Sequence, residues 1–580
     1  MVAFQRTYDL ISAIVLSLIL FSFKPIVHSQ NTCCFHQVKE NCKSANEGFD
    51  THSSYDFTGL HHTLMASKDT VDTCDALKNL EYISSHQKTD EFSDTHQKQR
   101  QAKDLGAQQR RESVSRDAGR YGGYCVTKPS AYSEQASSRR CKKSTALYDY
   151  SEVLHKSILF YEAQRSGQLP DCNRIPWRGH SCLEDMGHNG EDLSGGWFDA
   201  GDYVKFGLPM AWSTTVLAWG LIAYRDAYET SGQLQYMLDC IKWPADYFLK
   251  AHTKEDEFYY QVGDPEIDHK YWGRAENMSL PRPSFKVDPS NPGSDVTGET
   301  AAALAACAIG FKDINTSYAS LLLKHSKQLY NFANTHRANR PTRGPYKVNQ
   351  SFGYMLAWAA VWLYFATSDK KFLDDAKLHY QEFHLHRRAW SFAWGNPAPG
   401  VQLLLYILTR EDMYRDHFVN YLDGWLPNSR LAYTPKGLVF RAEWGALRYA
   451  ANNAFLALVA ADHGIKTKAY RQFAKSQIHY ILGDTGRSFV VGFGKNPPKR
   501  PHHRASSCPS PPAKAGNSHL LRDAPNPYIL YGAVVGGPGR FDNYVDDRKN
   551  YKMNEVACDY NAGFQSAVAG LKHLDVTGQL

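Results

Sequence analysis

Residues 197–207 read WFDAGDYVKFG, with Asp199 and Asp202 three positions apart and rings on both sides. A close acid pair on a turn is most often a pair of solvated loop acids or helix caps. Two further loops change that weighting. VGFGKNPPKRPHHR (491–504) carries His502, His503 and Arg504, and YVDDRKNYKMNEVACDYNAGF (544–564) carries Asp546, Asp547, Glu555 and Tyr560. Acids in separated loops suit cleavage of a glycosidic bond. One acid stays ionised and works on water, while the other stays protonated and donates to the leaving oxygen. Their environments must then push the two pKa values apart. A nearby Arg and His could bind sugar hydroxyls and tune the acids. The chain also has 12 Trp and 35 Tyr that could stack on pyranose faces.

Each cluster alone is weak evidence. Asp and His together also suit a metal, yet no H-x-x-x-H or H-E-x-x-H spacing is present. No G-x-S-x-G marks a serine nucleophile. No C-x-x-C pair suggests a zinc ribbon. Net charge is +7 over 580 residues, which does not indicate nucleic-acid binding.

The elements that must carry these loops read as helices. Apolar residues recur at helical spacing near 150–167, 210–229, 236–252, 295–311, 353–367, 400–412, 446–463, 469–482 and 560–574. In SYASLLLKHSKQLYNFANTH, the residues Tyr318, Leu321, Leu322, Leu329, Phe332 and Ala333 share one face, opposite Lys324 and Lys327. About a dozen helices are expected. Strand signals are sparse, and FVVGF (489–493) is the clearest. Long loops rich in Gly, Pro and aromatics separate the helices and form the expected working surface.

The chain changes texture near residue 145. Arg6 followed by LISAIVLSLILF, with a Val27-His28-Ser29 step, predicts a signal peptide over 1–29 and a secreted protein. Residues 30–145 are polar, hold six of the 12 cysteines and predict a partly disordered extension of unknown function. Cys172 and Cys182 could close a short disulfide loop, and sequons begin at Asn277, Asn315 and Asn349.

Taken together, the clusters resemble glycoside hydrolase family 9. The resemblance spans 148–574 and rests on FYEAQRSGQLP, WRGHS and GGWFDAGDYVKFGLPMA at one end. At the other end it rests on YGAVVGGPGRFDNYVDDR and NEVACDYNAGF. Tyr544, Asp546, Tyr551, Glu555, Ala557 and Asn561 fit one family signature; Gly492, Pro501, His502 and Arg504 fit another. The resemblance implies an all-α fold, an (α/α)6 barrel over 146–575 with long functional loops, preceded by the polar cysteine-containing extension. It implies an inverting endo-β-1,4-glucanase with Asp202 as general base, Asp199 holding the same water and Glu555 as general acid. His502 and Arg504 would bind sugar, with Asp546 supporting them and Tyr560 lining the site. His269, Trp272, Trp390, Trp444, Arg448 and Tyr449 match further cleft positions.

Acids that ligate a structural calcium in some relatives are Tyr354, Met355 and Gly395 here, so no metal and no cofactor are expected. The expected partner is a β-1,4-glucan. No nucleic acid and no membrane after signal cleavage are expected, and the protein would act as a monomer. A glucan-binding protein without turnover, or a hydrolase of another β-glycan such as mixed-linkage glucan, are the alternatives.

Overall fold

The computed structural model describes residues 146–348 and 351–580. The expected signal peptide, the extension over 30–145 and the sequon asparagine Asn349 lie outside the described residues. Twelve described helices have more than ten residues. They are α1 (Tyr150–Ala163), α2 (Gly207–Ala223), α3 (Leu234–Ala251), α4 (Ser294–Phe311), α5 (Thr316–Thr335) and α6 (Gly353–Thr367), then α7 (Lys370–Glu382), α8 (Ala398–Thr409), α9 (Asp412–Leu422), α10 (Ala446–Asp462), α11 (Thr467–Leu482) and α12 (Cys558–Thr577).

The even-numbered helices are apolar nearly all round, which only a helix buried on every side can be. In α6, GYMLAWAAVWLYFAT, the run Met355–Leu363 is buried without a break. Each even helix contacts the next, α2 through α12 and back to α2, closing a ring of six. Trp219 of α2 meets Trp358 and Trp362 of α6 and Phe455 of α10, with ring centroids 5.2–5.9 Å apart. Close crossings need small residues. A Cβ on Gly220 of α2 would collide with the Ser566 hydroxyl of α12.

The odd-numbered helices form the outer layer, each packed on an even one, and they are amphipathic. Side-chain caps start several of them: Asp149 for α1, Asn315 for α5 and Asp369 for α7. On α5 the expected apolar face is buried except for Leu321, which is 42 % exposed because it lies at the edge of the buried stripe. Helices α7 and α9 escape sequence reading because so little of them is buried. Only Phe372, Ala376, His379 and Tyr380 point inward from α7.

One other expectation is corrected, and one open cysteine pairing is decided. FVVGF is not a strand: Val490 makes one isolated bridge to Val534, and Gly492 and Gly494 turn the chain with φ of +72° each. The strands are elsewhere. β1 (Lys205–Phe206), β2 (Phe258–Val262) and β3 (Ser284–Val287) form a small antiparallel sheet. β4 (Ala432–Tyr433) and β5 (Val439–Phe440) form a two-stranded pair. Cys172 is disulfide-bonded, but Cys182 is a free thiol, so the short loop between them does not form.

Connections from an even helix to the next odd one are short, as at 368–369 and 410–411. Those from an odd helix to the next even one are long, as at 164–206, 252–293 and 483–557. The alternation puts all the long loops at one end of the barrel.

Candidate active site

Every residue singled out for chemistry lies in a long loop or in the first turn of the inner helix that follows it. Asp199 and Asp202 precede α2, and His269 and Trp272 precede α4. Trp390 precedes α8, Trp444 precedes α10, and His502, Arg504, Asp546 and Glu555 precede α12. Arg448, Tyr449 and Tyr560 lie in the first turns of α10 and α12.

The Ala200-Gly201 spacer lets three loops meet. A Cβ on Gly201 would collide with the His502 carbonyl, and the Gly201 carbonyl accepts from Arg504 N at 3.2 Å. The Asp199 carbonyl accepts from Cys558 N at 2.9 Å, and His502 N donates to the Asn554 carbonyl at 2.8 Å. Lys205 and Arg282 anchor the loop from beneath. Both pair with the buried Asp185, at 2.7 and 2.5 Å, and Arg282 Nη1 donates to the Tyr203 carbonyl at 2.8 Å.

The carboxylates are set apart by their surroundings. Burial pushes Asp199 well above the usual carboxylate range, and the charges of Asp202 and Asp559 add to it. Its Oδ2 accepts from the Tyr346 hydroxyl, whereas its Oδ1 is buried and meets no protein partner. Burial raises Asp202 as well. The hydrogen bond and charge of His269, the charge of Arg504 and the Ala200 amide outweigh that effect and hold Asp202 below its ordinary value. Its Oδ1 accepts from Ala200 N at 3.1 Å, and His269 Nε2 is 3.6 Å from Oδ2. Glu555 is raised, first by burial and also by the charges of Asp202 and Asp559. Trp444 Nε1 at 2.7 Å and the Tyr560 hydroxyl at 2.9 Å both donate to its Oε2 and limit the rise. Asp202 is therefore pulled toward its ionised form while Glu555 is pushed toward its protonated one, the direction of difference that acid–base cleavage needs.

The remaining candidates divide by contact. Trp272 packs on His502 at 5.1 Å, and Trp444 packs on Tyr551 at 5.2 Å. Trp390 meets Tyr449 edge to face at 5.1 Å, and the Arg441 guanidinium lies over the Trp390 ring at 4.1 Å. Arg448 pairs with Asp559 at 2.6 Å and donates to the Tyr449 hydroxyl at 2.7 Å. Asp546 acts at a distance: its two oxygens accept from Lys499 N and Arg500 N, clamping the loop that leads to His502. His503 is buried and caps a short helix through Ser506 N at 3.1 Å.

Sequence reading passed over Tyr346, Asp268 and Asp559. Asp268 sits beside His269 in DHKYWG and takes the Arg504 guanidinium at 2.5 Å, while its Oδ1 accepts from Tyr203 N at 3.2 Å. Tyr346, in GPYKV, carries no periodic signal; only its packing on Phe206 and Trp394 reveals it. Asp202, Asp268 and His269 bring ligand-type atoms within 4.8 Å of one another. The Arg504 guanidinium already occupies Asp268, so any cation there would compete with it. At the expected calcium positions the residues do not fit a hard cation. Met355 is fully buried, Tyr354 offers a half-buried phenol and Gly395 has no side chain.

A helical barrel whose long loops gather two carboxyl groups with oppositely shifted acidities beneath exposed rings defines a glycosidase-type site. The Glycosyl hydrolase family 9 profile matches residues 150–568, and the chain belongs to that family. Endoglucanase A of Bacillus pumilus is 46% identical over 459 residues, covering 75% of this chain and 68% of that protein. The endoglucanase of the termite Nasutitermes takasagoensis has a solved structure that superposes with a TM-score of 0.72 at 49% identity, covering 74% of this chain and all of that one. The cellulase Cel9M of C. cellulolyticum, solved with cellobiose, gives 0.69 at 36% identity over 73% of this chain and 98% of its own. The protein is a glycoside hydrolase of the cellulase class, and its (α/α)6 barrel is the fold of these relatives.

Proposed function

We propose that the protein is a secreted endo-β-1,4-glucanase that cleaves cellulose-type chains with inversion. The observation that carries this reading is the opposite setting of two carboxyl groups, Asp202 shifted toward the ionised form and Glu555 toward the protonated one, in loops knitted together by Gly201 and His502. Asp202 takes a proton from a water molecule whose oxygen attacks the anomeric carbon. Glu555 gives its proton to the glycosidic oxygen as the bond to that carbon breaks. Trp444 and Tyr560 both bind Oε2, so the transferred proton belongs on Oε1. Asp202 ends protonated and Glu555 ionised, and exchange with solvent restores both. Asp199, with its free Oδ1, steadies the same water. His269 and Arg504 keep the base charged, the exposed rings of Trp390 and Trp444 offer apolar surface to the sugar, and the buried Trp272 backs His502. The mostly apolar Leu10–Phe21 run near the start of the chain supports secretion, and no described helix is long and apolar enough to cross a membrane.

Asp202→Asn and Glu555→Gln are each expected to slow cellotetraose hydrolysis about 10²–10⁴-fold with binding retained. Proton NMR of fresh wild-type product should show the α anomer first. Near-normal turnover in either variant, or a β anomer first, would overturn the assignment.

A further inference from the structure

Behind the cleft histidine lies a buried guanidinium whose hydrogen-bond partners are all neutral. Arg548 is 1 % exposed. Its Nε and Nη2 donate to Asn526 Oδ1 at 2.8 and 2.5 Å. Nη1 donates to the carbonyls of His519 at 2.7 Å, Arg522 at 3.0 Å and Leu520 at 3.4 Å, and Nη2 also donates to that of Ala524 at 2.9 Å. Burying a charge is costly unless its donors are satisfied, and here a single turn over 519–526 satisfies them. The turn passes that order on. Asn526 Nδ2 donates to the Pro501 carbonyl at 3.1 Å and to Ser506 Oγ at 2.9 Å, on either side of His502. The Arg548 carbonyl is itself 2.7 Å from His502 Nδ1. A carbonyl only accepts, so Nδ1 carries the hydrogen.

We propose that Arg548 is a positioning residue that holds His502 as the Nδ1–H tautomer, so that Nε2 accepts a hydrogen bond from a sugar hydroxyl in the cleft. The sugar contact rests on the glucanase reading above; the tautomer does not. Burial, which pushes the His502 ring down to about 4, keeps it neutral over the working range. Lysine at 548 would keep the charge but lose the five-donor fork that orders the turn.

The test uses the full chain with ring-15N histidine, the His502 signal being identified by its loss in His502→Gln. The wild type should show Nδ1–H and a bare Nε2 from pH 5 to 8. Arg548→Lys should give a mixture of tautomers and raise KM for cellotetraose about fivefold, the worth of one net hydrogen bond. Asn526→Ala should move both readouts the same way, and it serves if Arg548→Lys fails to fold. An Nε2–H tautomer in the wild type would overturn the proposal. So would a folded Arg548→Lys that melts lower but keeps the wild-type tautomer and KM. A tautomer shift without any glucan turnover would support the positioning role and instead reject the glucanase reading.

Discussion

At the scale of single residues, the site works by unequal treatment of like groups. Asp199, Asp202 and Glu555 are all buried enough to be driven toward the neutral form, and only Asp202 gains the cationic neighbours that reverse it. Trp444 has a second task beyond offering a ring. It is 44 % exposed, yet its Nε1 donates to the acid. A donor to a carboxylate favours the ionised form, so this bond lowers the pKa of Glu555. Trp444→Phe keeps an aromatic face and removes the donor. The alkaline limb of kcat/KM, which reports loss of the proton from the acid, should then move to higher pH. A limb that stays in place, or moves lower, would separate Trp444 from the tuning of Glu555.

At the scale of elements, inner helices cross so closely that side-chain volume outranks helix propensity. Ala in place of a helical Gly ordinarily gains roughly 0.5–1 kcal/mol. At Gly220 the new Cβ would also lie 2.7 Å from Ser566 Cβ and 3.1 Å from Ser566 Cα across the α2–α12 contact. Overpacking of that kind costs about 1–3 kcal/mol, so the penalty wins. Gly220→Ala should lower the urea midpoint with an unchanged slope; a stabilised variant would show that α2 and α12 can move apart freely. The same crossings set the positions of the loops, because α2 and α12 begin directly after the Asp202 and Glu555 loops.

At the scale of the whole molecule, the barrel interior holds an acid that the chemistry does not use. Glu299 of α4 is completely buried; its Oε1 accepts from Trp358 Nε1 at 3.0 Å, and its Oε2 meets no protein partner. Burial raises its pKa well above the ordinary value. A group raised in the folded state stabilises fully below its unfolded pKa, and that contribution fades as pH climbs toward the folded one. Stability should therefore fall by about 1.4 kcal/mol per pH unit across this window. Glu299→Gln cannot ionise. Relative to wild type, it should melt progressively higher as pH rises from 5 to 8, a difference that cancels the active-site acids common to both proteins. A constant offset between the two melting curves would mean that Glu299 does not titrate on unfolding.

Read alone, the sequence determined the helical class, the positions of most inner helices and the three loops that carry the chemistry. These are local properties: all-round apolarity in GYMLAWAAVWLYFAT, acids beside rings in WFDAGDY, and a family signature around Glu555. The thinly buried helices α7 and α9 were not legible, because each turns only four side chains inward and most of the rest are polar. FVVGF looked like a strand because its residues favour one, and two glycines with positive φ overrode that preference. Only the tertiary structure decided which acids are pushed toward their protonated form and which is held toward its ionised one. That depends on burial and on neighbours far away in the chain: Tyr346 on Asp199, His269 and Arg504 near Asp202, and Trp444 on Glu555. Spacing along a chain sets which residues can share a turn. The charge each one carries is set by what the folded molecule packs around it.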